Sequence, residues 1–180
     1  METKIELERR WLLKGCPGWV QDNCTSDVMI DQFYTPDGWR YRKIEDLITY
    51  KSTYERTMKT SVERGVNHEK GTENIKKKDY LKAQHDAIKK ISKNRMTIIC
   101  DGRTFEVDNF YGCNLTIVEV EGVTMHDTIV FPEVIEKDVL MEVTGNPKFS
   151  NFSLADDITE EEEDEEGNHD NDDDDDDDND

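Results

Sequence analysis

Residues 5–11 read Ile5-Glu6-Leu7-Glu8-Arg9-Arg10-Trp11, with charged and apolar side chains alternating at a period of two. Successive side chains of an extended strand point to opposite faces, so Glu6, Glu8 and Arg10 fall together on one face. The alternation returns in Phe105-Glu106-Val107-Asp108 and in Ile117-Val118-Glu119-Val120-Glu121, with a Tyr111-Gly112-Cys113-Asn114 turn between them. Such segments are strands with one apolar and one ionic face.

Working outward, Thr35-Pro36-Asp37-Gly38 is a turn sequence that closes a hairpin between Ile30–Tyr34 and Trp39-Arg40-Tyr41-Arg42. Ile48-Thr49-Tyr50-Lys51 is expected to continue that meander as a strand. From about Asp79 to Asn94, Tyr80, Ala83, Ala87, Ile88 and Ile91 fall on one stripe with lysines opposite, which predicts a helix packed outside the sheet. The polar stretch from Tyr54 to Lys77, with Gly65 and Gly71, reads as a strand and a mobile loop.

The charge of the chain is uneven. Its 180 residues carry a formal net charge of −20, yet Asp156 to Asp180 alone contribute 12 Asp and 6 Glu with no Lys or Arg. The other 155 residues hold 25 acids against 23 bases and are nearly neutral. We therefore expect one folded domain over 1–155 and a disordered acidic tail over 156–180, which has too little apolar surface to offset chain entropy. The tail is read either as a solubilising appendage or as a polyanion mimic, docking a basic protein partner or competing with phosphate. No apolar run approaches the roughly 20 residues needed to span a bilayer, and Met1–Lys14 is charged rather than signal-like. A cytoplasmic protein with reduced Cys16, Cys24, Cys100 and Cys113 is the expectation, since these cysteines have no zinc-site spacing.

A solvated sheet face would account for any one of the alternating segments. Segregation of the charges by strand asks for more. The first and last alternating strands carry Glu pairs, whereas the intervening ones carry Arg40, Arg42 and Lys51, with Lys93 and Arg95 further on. Two carboxylates at i and i+2 point the same way about 7 Å apart, and two such pairs on neighbouring strands suit one hard cation, Mg²⁺ or Mn²⁺. Converging Arg and Lys side chains need an anion between them, and the Arg fork suits phosphate. Together they point to a polyanion carried with a metal, of which a triphosphate is the natural candidate. His68, without a second nearby histidine, reads as a surface residue.

In chain order the motifs resemble those of the CYTH family, the triphosphate tunnel metalloenzymes. Glu6-Leu7-Glu8-Arg9-Arg10 is similar to its E-x-E-x-K, Ile30-Asp31-Gln32-Phe33-Tyr34 to I-x-Q-x-Y, Arg40-Tyr41-Arg42 to R-x-R, and Thr49-Tyr50-Lys51 to T-x-K. Lys93-Asn94-Arg95 resembles K-x-R, Phe105–Asp108 the E-x-D strand, Val118–Glu121 the V-E-V-E strand, and Glu142-Val143-Thr144 with Phe149, Asn151, Leu154 and Ala155 the family's ending. The resemblance covers roughly residues 3–155. It implies an α+β fold: an eight-stranded antiparallel β-barrel tunnel with a few helices outside. It also implies metal-dependent hydrolysis of a triphosphate, inorganic tripolyphosphate or an organic or nucleoside triphosphate. An RNA 5′-triphosphate would be the one nucleic-acid substrate. By position, Glu6, Glu8, Glu106, Asp108, Glu119 and Glu121 would hold the metal. Arg10, Arg40, Arg42, Lys51, Lys93 and Arg95 would grip the substrate, and Lys93, Glu119 and Glu121 would be catalytic. Glu142 would hydrogen-bond a basic side chain or approach a second metal. Arg10 stands where the family has Lys, and Glu69 and Glu73 are four apart where a further E-x-E is usual. The alternatives are an adenylyl cyclase of the same family and a non-catalytic tunnel that binds nucleotide or polyphosphate. The domain is expected as a monomer or homodimer.

Overall fold

The eleven residues of β1 (Thr3–Leu13) form the strand around which the sheet is assembled in a computed structural model. The structure describes residues 3–16 and 18–158; of residues 3–6, 19, 59–63 and 68–70 only the backbone is described. After β1 come α1 (Trp19–Asn23), β2 (Ser26–Tyr34), β3 (Arg40–Asp46), β4 (Ser52–Glu63), β5 (Val66–Asn74) and α2 (Lys77–Gln84). They are followed by β6 (Lys89–Cys100), β7 (Arg103–Phe110), β8 (Leu115–Glu121), α3 (Glu133–Glu136), β9 (Val139–Glu142), α4 (Asn151–Leu154) and β10 (Asp156–Asp157).

Every strand pairing among the described residues is antiparallel. Neighbours run from β1 through β5, β4, β3, β2, β6, β7 and β8, and β8 pairs with β1 again over Glu8–Leu13. Each of these eight strands thus has two neighbours. Two short strands are added to them: β9 on β1, and β10 on β6. The arrangement is the expected α+β one, an antiparallel sheet with α1, α2 and α3 on its outer face. No helix among the described residues is long and apolar enough to cross a membrane.

The outward faces carry the apolar core. Trp11, Met96, Phe105, Val107, Val118 and Val120 from β1, β6, β7 and β8 pack with Val20 of α1 and Ile135 of α3. On the other side Tyr80 of α2 seats against Phe33 and Tyr41, whose rings stack 4.9 Å apart. The inward faces are mostly polar, except at one end, where Ile91, Phe110, Ile117 and Ala155 cluster with Phe149 and Leu154 of the C-terminal segment.

Three local expectations are corrected. Helix α2 ends at Gln84, and Lys89–Cys100 is a strand paired on both edges. Ile91, Lys93 and Arg95 alternate with Ser92, Asn94 and Met96, and the i, i+3 spacing of Ile88 and Ile91 had merged this strand with the helical stripe. Residues 47–49 form a turn, because Asp46 Oδ1 accepts the backbone N–H of Ile48 at 2.9 Å and of Thr49 at 2.7 Å. The polar stretch after Tyr54 is a β4–β5 hairpin whose register shifts between Arg56 and Met58 and between Ser61 and Glu63. Its Gly65 adopts φ +75°, and its carbonyl accepts the Glu8 N–H at 3.0 Å. The acidic residues beyond Ile158, with the disorder expected of them, lie outside the described residues; β10 extends the described chain past the expected boundary at Ala155.

Candidate functional site

The alternation that built β1 sends Glu8 and Arg10 inward, and β8 answers with Glu119 and Glu121. In the β1–β8 register Glu8 lies opposite Glu121, and Arg10 opposite Glu119. In the β7–β8 register Glu106 lies opposite Glu119. Four carboxylates are thereby gathered on three adjacent strands. Strand β3, four neighbours away from β8 in either direction, supplies Arg40 and Arg42. All eight of the side chains Glu8, Arg10, Arg40, Arg42, Arg95, Glu106, Glu119 and Glu121 line one cavity of about 890 Å³.

Arg95 is the hub of the acidic wall. Its Nε donates to Asp108 Oδ1 at 2.6 Å, its Nη2 to Asp108 Oδ2 at 2.7 Å and to Glu119 Oε2 at 2.8 Å, and its Nη1 pairs with Glu106. The carboxylates around it hold the guanidinium well above its usual pKa, despite its burial. Behind Arg95, Lys93 donates to Asp108 Oδ2 at 2.5 Å and lies over the ring of Phe110. Lys93 and Asp108 are only 1% and 0% exposed, and neither lines the cavity. Burial, then Arg95, lower the Lys93 pKa to about 8. Burial raises the Glu106 carboxyl to about 7; Arg95 opposes that rise, while Glu119, Glu121 and Asp108 add to it.

The other expected site residues are distributed unevenly. Arg10 Nη2 pairs with Glu119 Oε1 at 2.8 Å, and its Nη1 donates to the Phe149 carbonyl at 2.7 Å, which ties the acidic wall to the C-terminal segment. Arg42 donates to Gln32 Oε1 at 3.0 Å and to Glu55 Oε1 at 3.2 Å. Lys51 sits in the exposed β3–β4 connection and does not line the cavity. Glu6 lies on β1 opposite Asn67; its side chain, like that of Glu69, lies outside what is described. Glu73 pairs with Arg56 at 2.8 Å instead of lining the cavity. Glu142 accepts both Nε and Nη2 of Arg9, at 3.1 and 2.8 Å, and this contact, foremost among its surroundings, lowers its pKa.

Sequence reasoning missed four contributors. Asn67 holds Glu8 Oε1 at 2.9 Å, Glu55 and Thr57 line the cavity from β4, and Tyr34 accepts Gln32 Nε2 at 2.6 Å. The signal for Glu55 and Thr57 was their i, i+2 spacing in Ser52–Thr57, obscured by the polar character of the whole segment.

Among the described residues no group of three or more His, Cys, Asp or Glu converges as a ready metal centre. The donor set nonetheless suits a hard cation in type: Glu8 faces Glu121 and Glu106 faces Glu119, and facing positions on antiparallel strands put like charges within about 5.5 Å at Cβ. Burial is the main cause of the raised Glu106 carboxyl, and this crowding adds to it. A divalent cation would relieve the crowding.

No protein-family model matches the sequence. No curated protein matches it. Solved structures do: the inorganic triphosphatase NE1496 is similar at 23% identity over 85% of this chain and 95% of that one, with a TM-score of 0.55. A second structure, described as the hypothetical protein NE1496, is similar at 24% identity over 86% and 99%, also at 0.55. A more distant likeness is to the PH1819 protein of Pyrococcus horikoshii OT3, at 16% identity over 71% and 80%, with a TM-score of 0.49. The chain shares the fold of NE1496.

Proposed function

Starting from this CYTH-type fold with an ionic interior, we propose that the chain hydrolyses a triphosphate in a divalent-metal-dependent reaction inside a barrel-shaped tunnel. The observation that carries the reading is the placement of Arg40 and Arg42 on β3 across the cavity from Glu119 and Glu121 on β8. A solvated face has no need of a basic wall and an acidic wall around one space. A triphosphate with its cation matches both, since the Arg forks take phosphate oxygens and the carboxylates take the metal.

Glu8, Glu106, Glu119 and Glu121, with Glu6 on the same strand as Glu8, would hold Mg²⁺ or Mn²⁺, which when bound neutralises phosphate oxygens and lowers the pKa of water. The chain's own residues bind and orient. Arg40 and Arg42 grip the phosphates, and Gln32 and Glu55 hold the Arg42 fork in place. Arg95 is aimed by Asp108, so that it can pass from Glu106 and Glu119 to an entering phosphate oxygen. Lys93 acts through Asp108, as its burial dictates. Charge stabilisation and positioning of an in-line attack are the bulk of catalysis for phosphoryl transfer.

The test is turnover of tripolyphosphate, thiamine triphosphate, ATP and a 5′-triphosphorylated RNA by the purified protein, with Mg²⁺ or Mn²⁺ and with chelator. Phosphate release that requires metal is expected. Cyclic AMP from ATP without phosphate release would make the protein a cyclase. The saturation of Arg95 by three carboxylates favours one further reading, a non-catalytic polyphosphate binder. Tight binding with no turnover of any of the four compounds would establish it.

A further inference from the structure

The triphosphatase reading leaves one charged feature unused, a lysine face outside the cavity. Between residues 76 and 90 the sequence has six Lys against two Asp. Lys76, Lys77, Lys78 and Lys82 are exposed on and beside α2, whose Tyr80 is turned inward on Phe33 and Tyr41. Among the described residues none of these four lysines enters an ion pair, and Asp79 is the one acid among them. The face ends at Lys89 and Lys90, where β10 is already attached. Asp156 pairs in register with Lys90 and Asp157 with Lys89, and Lys89 Nζ lies 3.0 Å from Asp157 Oδ1 and donates to the Ala155 carbonyl at 3.0 Å. One residue later the Ile158 N–H donates to the Ile88 carbonyl, four residues beyond the end of α2. The chain therefore leaves the described structure beside this helix and continues as residues 159–180, with 16 Asp and Glu and no Lys or Arg.

We propose that segment 159–180 docks on the lysine face of α2 and β6 in its own chain and masks that face from other polyanions. Three observations select this occupant. The last two lysines of the face, Lys89 and Lys90, are already strand partners of Asp157 and Asp156, the two acids just before the segment, and Lys89 pairs with Asp157, so the contact continues an existing one. The 22 residues reach up to roughly 70 Å when extended, while α2 is only about 12 Å long. Tethering also supplies an effective concentration on the order of millimolar, which a free polyanion must exceed to compete. The cavity is the poorer host. Its Arg10, Arg42 and Arg95 are already paired with Glu119, Glu55 and Asp108, and the Glu side chains lining it repel a carboxylate run. This inference does not depend on hydrolysis.

Zero-length carbodiimide coupling of the full-length chain, with the links mapped by mass spectrometry, tests the contact. Expected are intramolecular amide links from acids at 160–180 to Lys76, Lys77, Lys78, Lys82 or Lys90, reduced severalfold in 0.5 M salt because exposed charges are screened. A full-length variant with those 16 acids changed to Asn and Gln should show the same lysines acylated by an amine-reactive reagent roughly threefold faster, in keeping with loss of a millimolar local competitor. Links spread over all exposed lysines, links only between molecules, or unchanged acylation rates would each overturn the proposal.

Discussion

Arg95 Nη2 of β6 and Glu119 Oε2 of β8 are 2.8 Å apart although β7 runs between their strands. One guanidinium spans three strands and is held on the way by Asp108. The cationic group nearest the carboxylates is thus built into the acidic wall, and its position rests on a residue that does not line the cavity.

Removing that support should cost stability before chemistry. Asp108→Ala leaves Lys93 and Arg95 buried without their shared partner, and breaking a buried ion pair from one side costs about 3–5 kcal/mol. Denaturant unfolding should register that loss. Glu142→Ala, which removes a part-buried bidentate pair with Arg9 that has no second buried cation behind it, should cost less, about 1–2 kcal/mol. Equal losses for the two variants would mean that Asp108 does not organise the interior.

Arg42→Gln should act on substrate instead. Arg42 lines the cavity and is aimed by Gln32 and Glu55, so its loss would remove the phosphate contact proposed for it while leaving the outer core intact. With tripolyphosphate, kcat/KM should fall about 10- to 100-fold, which corresponds to about 1.4–2.7 kcal/mol of lost transition-state binding. The melting temperature should move little. Unchanged kinetics would remove β3 from the site.

A coupling between metal and pH follows from Glu106. Its carboxyl is raised to about 7, mainly by burial, so between roughly pH 4.5 and 7 the folded chain holds a proton that the unfolded chain has lost. More protons on the folded state means that stability without metal falls as pH rises through this window. A cation binds the ionised form. Mn²⁺ affinity should therefore climb with pH up to about 7 and then level, with uptake releasing a proton at pH 6. Calorimetric titrations in buffers of different ionisation heat measure that proton. Affinity independent of pH between 5.5 and 7.5 would detach Glu106 from the metal.

Much of this arrangement is legible in the sequence, for an identifiable reason. Where a strand carries charge on its inner face, as in Glu8–Arg10, Arg40–Arg42 and Glu119–Glu121, the period of two marks both the strand and the site. Legibility fails where a local competitor acts. Asp46 turns the chain through Leu47–Thr49 by capturing two backbone N–H groups, which removes Lys51 from the strand that its alternating neighbours suggested. Lys93 and Asp108 show a further gap: the pattern sends both inward, but which inward charges meet phosphate and which meet each other depends on depth, and only packing sets that.

The last prediction concerns a backbone contact on the far side of β1 from β8. Gly65 sits at φ +75° in the β4–β5 turn, and a Cβ added there would lie 3.0 Å from the Glu8 carbonyl oxygen, with Met125 and Thr144 side chains at 3.3 and 3.4 Å. The Glu8 N–H also donates to the Gly65 carbonyl, so the turn grips β1 at the residue whose side chain faces Glu121. Gly65→Ala adds left-handed strain of about 1–2 kcal/mol and presses on backbone that cannot swing aside as a side chain would. The strand should yield by a few tenths of an ångström at Glu8. Geometry for a small cation is demanding, so Mg²⁺ affinity should drop severalfold, with Mn²⁺ less affected. Gly38→Ala, at φ +87° with nothing within 4 Å of the added carbon, is the control that carries comparable strain without the push on β1. If both variants lose stability alike and neither changes metal affinity, Glu8 is not held by the turn.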